Sequence, residues 1–440
     1  MQAKASTTYQ SCFLMPSLSE QLDPRQPLKQ LADKLPGAEF ESAFGKHYSA
    51  EGRPAKPVRL MVGLLLLKQM FNLGDETAVA AWVQNPYWQY FCGCADFQWS
   101  LPCDPSDLVY FRDRIGESGM QLILKVSAQL HGKKIQETEV VVDTTVQEKN
   151  ITYPTDSKLC RKIIHRCWKL ADGNGVRLRR RYRKLVRHCV MAQRHRRDRK
   201  QRKLAVGALK KMKVVAGRLI RELERKLPVD VKEAQQENFE LYRKVLQQAP
   251  ADKNEVYSLH EPQVYCVAKG KDHKKYEFGS KASIVMTRNS AVIVGAVAHE
   301  KNQYDGDTLP AALTQTQAIS GQSPNRAIAD RGYRGRKFVG ETEVLVPGVP
   351  KAGQSKSQSA RLRKAFRRRA AIEPVIGHLK QDYRLMRSYL KGILGDSVNV
   401  MLAAAAWNLR KWMREAVLFC LQLWRWLLAV HSSPNLSARA

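Results

Sequence analysis

The sequence predicts an α/β protein in which a mixed sheet with flanking helices is preceded by a helical domain and interrupted by a basic, all-α insertion. Three observations lead to this prediction. Runs of β-branched residues occur in two separated stretches of the chain, each with helical patterns beside them. The stretch before them is helical, and the long stretch between them is basic and has no strand pattern. These changes divide the chain into four regions: 1–130, 131–157 with 255–390, 158–254, and 391–440.

The first region, 1–130, is predicted to be a helical domain. Pro57 stands near the first turn of the strongly apolar stretch "PVRLMVGLLLLKQMF". The helix that follows is expected to end at Asn85 and Pro86, and Asp104 is a plausible N-cap for the next one. Such a domain could bind DNA ends or form a dimer, and the residues leave both roles open.

The first strand is predicted in the stretch "TEVVVDTTVQEKN". Val140, Val141 and Val142 run directly into Asp143. Since runs of β-branched residues are typical of buried strands, we expect a buried strand that ends at Asp143. An aspartate in this position is most often a turn former, so the stretch alone assigns it no chemistry.

The insertion, 158–254, is predicted to consist of helices with a heavily cationic outer face. Between residues 158 and 226 there are 26 Lys+Arg and four acids. Helices with a solvated charged face usually interleave both signs, whereas here one sign dominates. Binding to several phosphates is the better explanation. We expect Arg179, Arg180 and Arg181 to contact DNA.

From about residue 264 the sequence returns to a period of two. Three strand candidates come first: "QVYCVAKG", "KKYEFGSKASIVMT" and "AVIVGAVAHE". A helix over "DGDTLPAALTQTQA", a short strand that ends at Asp330 and a strand in "TEVLVPG" follow. Asn302 and Asp305 are expected to be a loop residue and a helix cap, and an active-site role is the alternative. A long basic helical stretch carries Glu373, and amphipathic helical pieces are expected over 391–440.

Three carboxylates, Asp143, Asp330 and Glu373, are therefore expected beside one sheet. In the transfer of phosphodiesters, two divalent ions about 3.5–4 Å apart can stabilise the attacking and the leaving oxygen. Mg²⁺ prefers oxygen ligands and keeps several waters, so a few carboxylates are sufficient. We therefore predict a site for two Mg²⁺ ions, with Mn²⁺ as a substitute. The structural alternatives are a turn residue, a turn cap and an i,i+4 partner of Arg369.

The balance of charge predicts a polyanionic partner. The 440 residues include 74 Lys+Arg and 41 Asp+Glu, which gives a net charge of +33. A chain this basic would repel itself unless it met a polyanion, and nucleic acid is the commonest one. A generally cationic protein and a membrane-surface binder are the alternatives. Because the sequence shows no secretory signal and no apolar run long enough to span a bilayer, we expect a cytoplasmic protein.

These motifs resemble those of the DDE transposases of bacterial insertion sequences, in the branch called insertion-sequence family five. The resemblance covers most of the chain and is carried by "VVVDTTVQEKNITYPTDSKL", "IADRGYRG" and "FRRRAAIEPVIGHLK". In the last motif an aromatic residue, an Arg, a Glu and a Lys stand at the gaps typical of the branch, as Phe366, Arg369, Glu373 and Lys380. The branch more often has Tyr in the position of Phe366.

The resemblance implies an RNase H-like catalytic domain with three metal-binding catalytic carboxylates, which are Asp143, Asp330 and Glu373 in this chain. It also implies an all-α insertion between the first two acids. The implied activity is metal-dependent DNA cleavage and strand transfer at the terminal inverted repeats of an insertion sequence. The implied partners are double-stranded DNA, both element ends and target, and at least a second copy of the chain in the synaptic complex.

The resemblance further suggests which cations contact DNA near the scissile bond. Arg369 and Lys380 belong to the same motif as the third acid, and Arg331 and Arg334 follow the second acid directly. We expect all four to bind phosphates. Two other functions stay open: an RNase H-like nuclease without strand transfer, and a catalytically dead, sequence-specific DNA-binding protein.

Overall fold

The computed structural model describes residues 16–48, 51, 55–249, 252, 254–271, 274–348 and 355–431. The chain divides into two compact units. The first unit contains residues 1–147 and 281–440, and the second contains residues 148–280. The predicted fold class is confirmed, since a mixed sheet with flanking helices, consistent with an RNase H-like domain, follows a helical N-terminal region.

The N-terminal part of the first unit is helical, as predicted. Its described helices are α1 (Leu18–Gln21), α2 (Pro27–Lys34), α3 (Gly37–Gly45), α4 (Val58–Met70), α5 (Asp75–Val83), α6 (Pro86–Phe91) and α7 (Pro105–Gln129). Asn85 ends the α5 segment and also caps α6, because its side chain accepts a hydrogen bond from the Trp88 N–H at 3.2 Å. Asp104 caps α7, as predicted, in a reciprocal capping box with Asp107.

The second unit contains the predicted basic helices. They are α8 (Asp156–Gly173), α9 (Arg183–Ala192), α10 (Arg202–Lys226), α11 (Val229–Ala234) and α12 (Gln236–Gln247). Buried apolar side chains such as Ile163 on α8, Leu219 on α10 and Tyr242 on α12 form one core. The cationic side chains therefore cover the outside of this unit.

The sheet is mixed. Its strands are β1 (Glu139–Lys149), β2 (Tyr265–Lys271), β3 (Lys274–Thr287), β4 (Ile293–His299), β5 (Arg326–Ile328), β6 (Phe338–Val339), β7 (Thr342–Leu345) and β8 (Arg387–Ser388). In the first unit the order is β4-β3-β1-β5-β7-β6, and β8 also pairs with β1. The central strands β1, β5 and β7 are parallel, whereas β3 with β4 and β6 with β7 are antiparallel.

The prediction that the first strand ends at Asp143 is wrong, because β1 continues to Lys149. Thr144, Thr145 and Val146 prolong the β-branched run, and such residues favour an extended backbone. The parallel pairing of β1 with β5, however, stops at Val141. Asp143 therefore lies two residues beyond the segment of β1 that pairs with β5.

The helices that flank the sheet are α13 (Asp305–Ser320), α14 (Lys356–Arg369), α15 (Ile372–Asp382) and α16 (Gly392–His431). The long basic stretch is two helices, α14 and α15, with a turn between them. The separate helical pieces predicted after residue 391 are also wrong, since α16 runs for 40 residues. No Gly or Pro interrupts this sequence after Gly395. In the part of the chain that the structure describes, no helix is long and apolar enough to cross a membrane.

Candidate active site

The first predicted acid, Asp143, is mostly buried on β1. Its side chain is 18% exposed. Its Oδ1 accepts a hydrogen bond from the Thr144 N–H at 2.8 Å, which fixes the orientation of the carboxylate. Burial raises the pKa of Asp143 to about 6, and the nearby negative charge of Asp330 contributes to the increase. Asp143 is therefore a carboxylate whose charge the surrounding protein does not fully compensate.

The second acid, Asp330, lies two residues beyond the end of β5. It opens a single 3₁₀ turn, Arg331–Tyr333, and its Oδ1 accepts a hydrogen bond from the Gly332 N–H at 2.8 Å. Because β1 and β5 are neighbouring parallel strands, the chain leaves their paired segments at the same edge of the sheet. This topology explains why Asp143 and Asp330 influence each other electrostatically.

The third acid, Glu373, lies in the first turn of α15, and Arg369 connects it to the first acid. Arg369 is the last residue of α14. Its Nη2 lies 3.2 Å from Glu373 Oε1, and its Nη1 lies 3.8 Å from Asp143 Oδ2. The Glu373 side chain is 63% exposed. The guanidinium group of Arg369 thus links the first and third carboxylates.

The structure brings all three predicted acids into one neighbourhood, and their donor chemistry suits a hard divalent cation. Charge from both Asp330 and Glu373 acts on Asp143. As they stand, no three His, Cys, Asp or Glu side chains among the described residues are close enough together to hold a metal ion. Glu373 contacts Arg369, so binding of a cation by all three acids would require a rearrangement of these side chains.

A fourth acid, Asp305, lies beside the cluster at the first position of α13. Its Oδ1 accepts hydrogen bonds from Thr144 Oγ1 at 3.0 Å and from Lys281 Nζ at 2.9 Å. Lys281 is mostly buried and also donates to the Gln303 carbonyl at 2.7 Å. From the sequence, a helix cap was favoured for Asp305 and an active-site role was the alternative. The cap is wrong, because the N-cap of α13 is Tyr304 and Asp305 is the first residue of the helix. The contacts of Asp305 with Thr144 and Lys281 could not be predicted, because they join segments more than twenty residues apart.

Tyr333 lies near these acids and was not predicted as a site residue. Its side chain is fully buried, and among the described residues its hydroxyl has no hydrogen-bond partner that meets normal geometry. Burial, with the charges of Asp143, Asp305 and Asp330, raises the pKa of Tyr333 well above its ordinary value. The signal available in the sequence was its position in "ADRGYRG", three residues after the second acid.

The cations predicted near the scissile bond have different surroundings. Arg331 and Arg334 are exposed at the 3₁₀ turn, next to Asp330. Lys380 is half-buried on α15, two turns along the helix from Glu373. Their proximity to the acids is compatible with contacts to phosphate, which stay a prediction.

In the second unit the predicted DNA-binding arginines separate into two groups. Arg179 and Arg180 line a cleft of about 890 Å³, whereas Arg181 pairs with Asp172. The cleft has further cationic lining residues on α10 that the sequence did not single out: Arg218, Arg221 and Arg225. Their spacing of three and four residues places them on one face of the helix.

Comparisons with known proteins find transposase families along much of the chain. Two family models match the chain: "Transposase domain (DUF772)" over residues 16–114, and "Transposase DDE domain" over residues 251–409. A Rhizobium meliloti protein described as "Uncharacterized protein ORF8 in nfe locus" is 43% identical over 175 residues, which cover 39% of this chain and 84% of that protein. No solved structure matches the chain. Asp330 and Glu373 fall within the second family match, and Asp143 lies outside both.

Proposed function

The chain belongs to the DDE transposases of insertion sequences, and from this membership we propose that it binds the terminal inverted repeats of its own element and catalyses metal-dependent DNA cleavage and strand transfer. The observation that carries the proposal is the position of Asp143 on β1 and of Asp330 just beyond the end of β5, the neighbouring parallel strand, with Glu373 close enough for its charge to act on Asp143. We expect the chain to act in the cytoplasm on nucleoid DNA, as a dimer or larger assembly that holds both element ends.

In the proposed mechanism, Asp143, Asp330 and Glu373 would hold two Mg²⁺ ions, for which Mn²⁺ could substitute. When bound, such ions would lower the pKa of the attacking water and offset negative charge on the leaving oxygen of an in-line displacement. The protein supplies fixed ligands, since backbone N–H groups orient both aspartates. The first displacement would nick the DNA at the end of the element and release a 3′-hydroxyl. That hydroxyl would then displace a phosphodiester oxygen of the target strand.

Arg369 is proposed to exchange partners when DNA binds. In the free protein its guanidinium contacts Glu373 and lies near Asp143. A phosphate near the scissile bond would offer the same bidentate geometry as a carboxylate and would compete for this group. Glu373 would then be free to turn towards the two aspartates. Lys380, Arg331 and Arg334 are proposed to hold neighbouring phosphates.

The cleft of the second unit is proposed as a second area of DNA contact. It combines Arg179 and Arg180 with the α10 face formed by Arg218, Arg221 and Arg225. No ion pair joins Arg218 or Arg221 to an acid within the described residues, so neither has an acidic partner to give up when a phosphate binds. Arg181 is a weaker candidate, because its pairing with Asp172 would have to be broken.

Cleavage is tested with the Glu373→Gln variant on DNA that carries the element ends. Loss of a metal ligand removes a few kcal/mol of transition-state stabilisation, so nicking should slow by roughly a hundredfold or more while DNA binding is kept. Asp382→Asn is the matched control, because it changes another exposed acid of α15. Nicking at the wild-type rate in Glu373→Gln would contradict the catalytic assignment.

The same reactions separate the proposal from its two alternatives. Joining of the cleaved end to target DNA is expected of a transposase, whereas cleavage without joining would indicate a nuclease. Tight binding without nicking by the wild-type protein would indicate a DNA-binding protein.

DNA contact by the second unit is tested with the double variant Arg221→Gln and Arg225→Gln. If both bind phosphates, the slope of log affinity against log salt should flatten by about 2, since each phosphate contact contributes about 0.9. The matched control replaces the exposed Arg161 and Lys244 with Gln, elsewhere on the same unit. An equal flattening in both double variants would show that net charge, and not the cleft, determines binding.

A further inference from the structure

The two carboxylate oxygens of Asp305 have different surroundings. Oδ1 accepts the hydrogen bonds of Lys281 and Thr144 described above. Within the described residues, Oδ2 accepts no hydrogen bond. The protein thus holds Oδ1 of Asp305 in place, whereas Oδ2 is available to bind a cation.

The available oxygen faces the second catalytic acid across Gly332. A Cβ atom on residue 332 would lie 2.9 Å from Asp330 Oδ1 and 3.0 Å from Asp305 Oδ2. Oxygens of two acids therefore line the same small space, which Gly332 leaves free because it has no side chain. A cation bound by Asp330 would therefore have the carboxylate of Asp305 as a neighbour.

A second, independent observation concerns Tyr333. Its buried hydroxyl makes no hydrogen bond of normal geometry among the described residues, although Thr144 is close by, and the charges of three acids act on it: Asp143, Asp305 and Asp330. Buried hydroxyls without a partner are rare in folded proteins. Tyr333 is the residue after Gly332, so the same turn brings the glycine and the buried hydroxyl to the acids.

We propose that Asp305 is a fourth acidic ligand of the cation site, and that it presents Oδ2 to a divalent ion while Lys281 and Thr144 hold Oδ1. This inference rests on the proposed function, because it assigns a new ligand to the same site. A pair of Mg²⁺ ions needs many oxygen ligands, and three carboxylates leave much of that number to water. Thr144 gives the site rigidity, since its N–H binds Asp143 and its hydroxyl binds Asp305.

A purely structural role for Asp305 is the alternative. Its ion pair with the mostly buried Lys281 could serve only to neutralise that lysine. The two roles differ in what Asp305→Asn should do. The amide oxygen can still accept both hydrogen bonds at Oδ1, whereas the negative charge and the anionic Oδ2 are lost. A ligand role predicts weaker metal binding, and a structural role predicts lower stability alone.

The test is a titration of the metal-free, full-length protein with Mn²⁺, in which free Mn²⁺ is followed by electron paramagnetic resonance. Asp305→Asn should weaken Mn²⁺ binding by about tenfold or more, as loss of a supporting group at a metal site typically does. Asp307→Asn is the matched control. Asp307 is also in the first turn of α13, and it pairs with Arg336 at 2.6 Å. Its variant should bind Mn²⁺ like the wild type.

Comparison with Asp330→Asn separates the possible failures. If Asp330→Asn weakens Mn²⁺ binding and Asp305→Asn does not, Asp305 is structural and the inference is overturned. If neither changes the binding, the cation site of the proposed function is itself wrong. If Asp305→Asn fails to fold, Asp305→Glu and Asp305→Ser are compared instead, because only the glutamate keeps the negative charge. The inference then holds only if Asp305→Glu binds Mn²⁺ more tightly than Asp305→Ser.

Discussion

Two mostly buried aspartates of the first unit, Asp75 and Asp143, differ in the charges around them. Their side chains are similarly exposed, 20% for Asp75 and 18% for Asp143. Asp75 receives Lys68 Nζ at 2.7 Å and both terminal nitrogens of Arg112 at 2.9 Å. Among the described residues, Asp143 has one cation within 4 Å, Arg369 at 3.8 Å, and the acids Asp330 and Glu373 also act on it. The two side chains are therefore similarly buried, but neighbouring cations compensate the charge of Asp75 much more than that of Asp143.

The pKa values of the two groups move in opposite directions. Burial alone would raise the pKa of Asp75, but the hydrogen bonds and charges of Arg112 and Lys68 outweigh it and lower the pKa. At Asp143, burial and the charge of Asp330 together raise the pKa to about 6. A protein can thus bury a carboxylate safely with its own cations. The chain omits that compensation at the site where a cation from solution is expected.

The largest effect on stability is expected from Asp75→Asn. Removal of one partner from a buried ion pair leaves Lys68 and Arg112 uncompensated, so unfolding should become easier by about 3 kcal/mol at pH 7. Since the pKa of Asp75 is lowered, its contribution is present above its ordinary value of 3.8 and is lost as the pH falls below it. Chemical denaturation at pH 7 and at low pH measures both. An equal loss at both pH values would contradict this account.

A smaller effect of opposite sign is expected from Asp143→Asn in metal-free protein. Because the folded-state pKa is raised, ionisation of Asp143 destabilises the fold, and this cost appears as the pH rises from 3.8 to about 6. At pH 8 in EDTA the variant should be more stable than the wild type by about 2 kcal/mol, and the gain should vanish near pH 3.5. Asp307→Asn provides the control. If Asp143→Asn were instead less stable than the wild type at pH 8, the charge of Asp143 would stabilise the fold as that of Asp75 does, and the account would be contradicted.

The smallest effect is expected from Tyr333→Phe. A buried hydroxyl without a partner costs about 1 kcal/mol or more, so its removal should stabilise the metal-free protein by about that amount. Thermal unfolding in EDTA measures the difference. Destabilisation would instead show that the hydroxyl is hydrogen-bonded to the neighbouring Thr144.

Site residues could be predicted from the sequence only where a local sequence pattern marks them. Asp143 and Asp330 follow β-branched or short apolar runs, and Glu373 lies in a motif with fixed gaps, so all three could be predicted as candidate ligands from the sequence. For Asp305 the sequence favoured a helix cap over an active-site role, and it carried no signal for Lys281, because the contacts of these residues join α13, β3 and β1. The Asp75 ion pairs were missed for the same reason, since Arg112 is 37 residues away in the chain.

Errors at the ends of elements also have a physical origin. Asp143 was expected to end its strand because Asp disfavours strands, yet the following threonines and pairing with neighbouring strands carry β1 on to Lys149. The single helix α16 was expected as several pieces because Arg and Lys interrupt its apolar sequence. Packing of its first half against α7, α4 and β4 stabilises the continuous helix.

The central claim is that the uncompensated acids around Asp143 bind metal ions in order to cut DNA. The most direct measurement is nicking of DNA that carries the element ends, in Mg²⁺ or Mn²⁺ and in EDTA, by the wild type and by Asp143→Ala. The account predicts metal-dependent nicking at the element boundary by the wild type and none by the variant. Metal-dependent nicking by Asp143→Ala at the wild-type rate, or no nicking by the wild type in either metal despite tight binding, would contradict it.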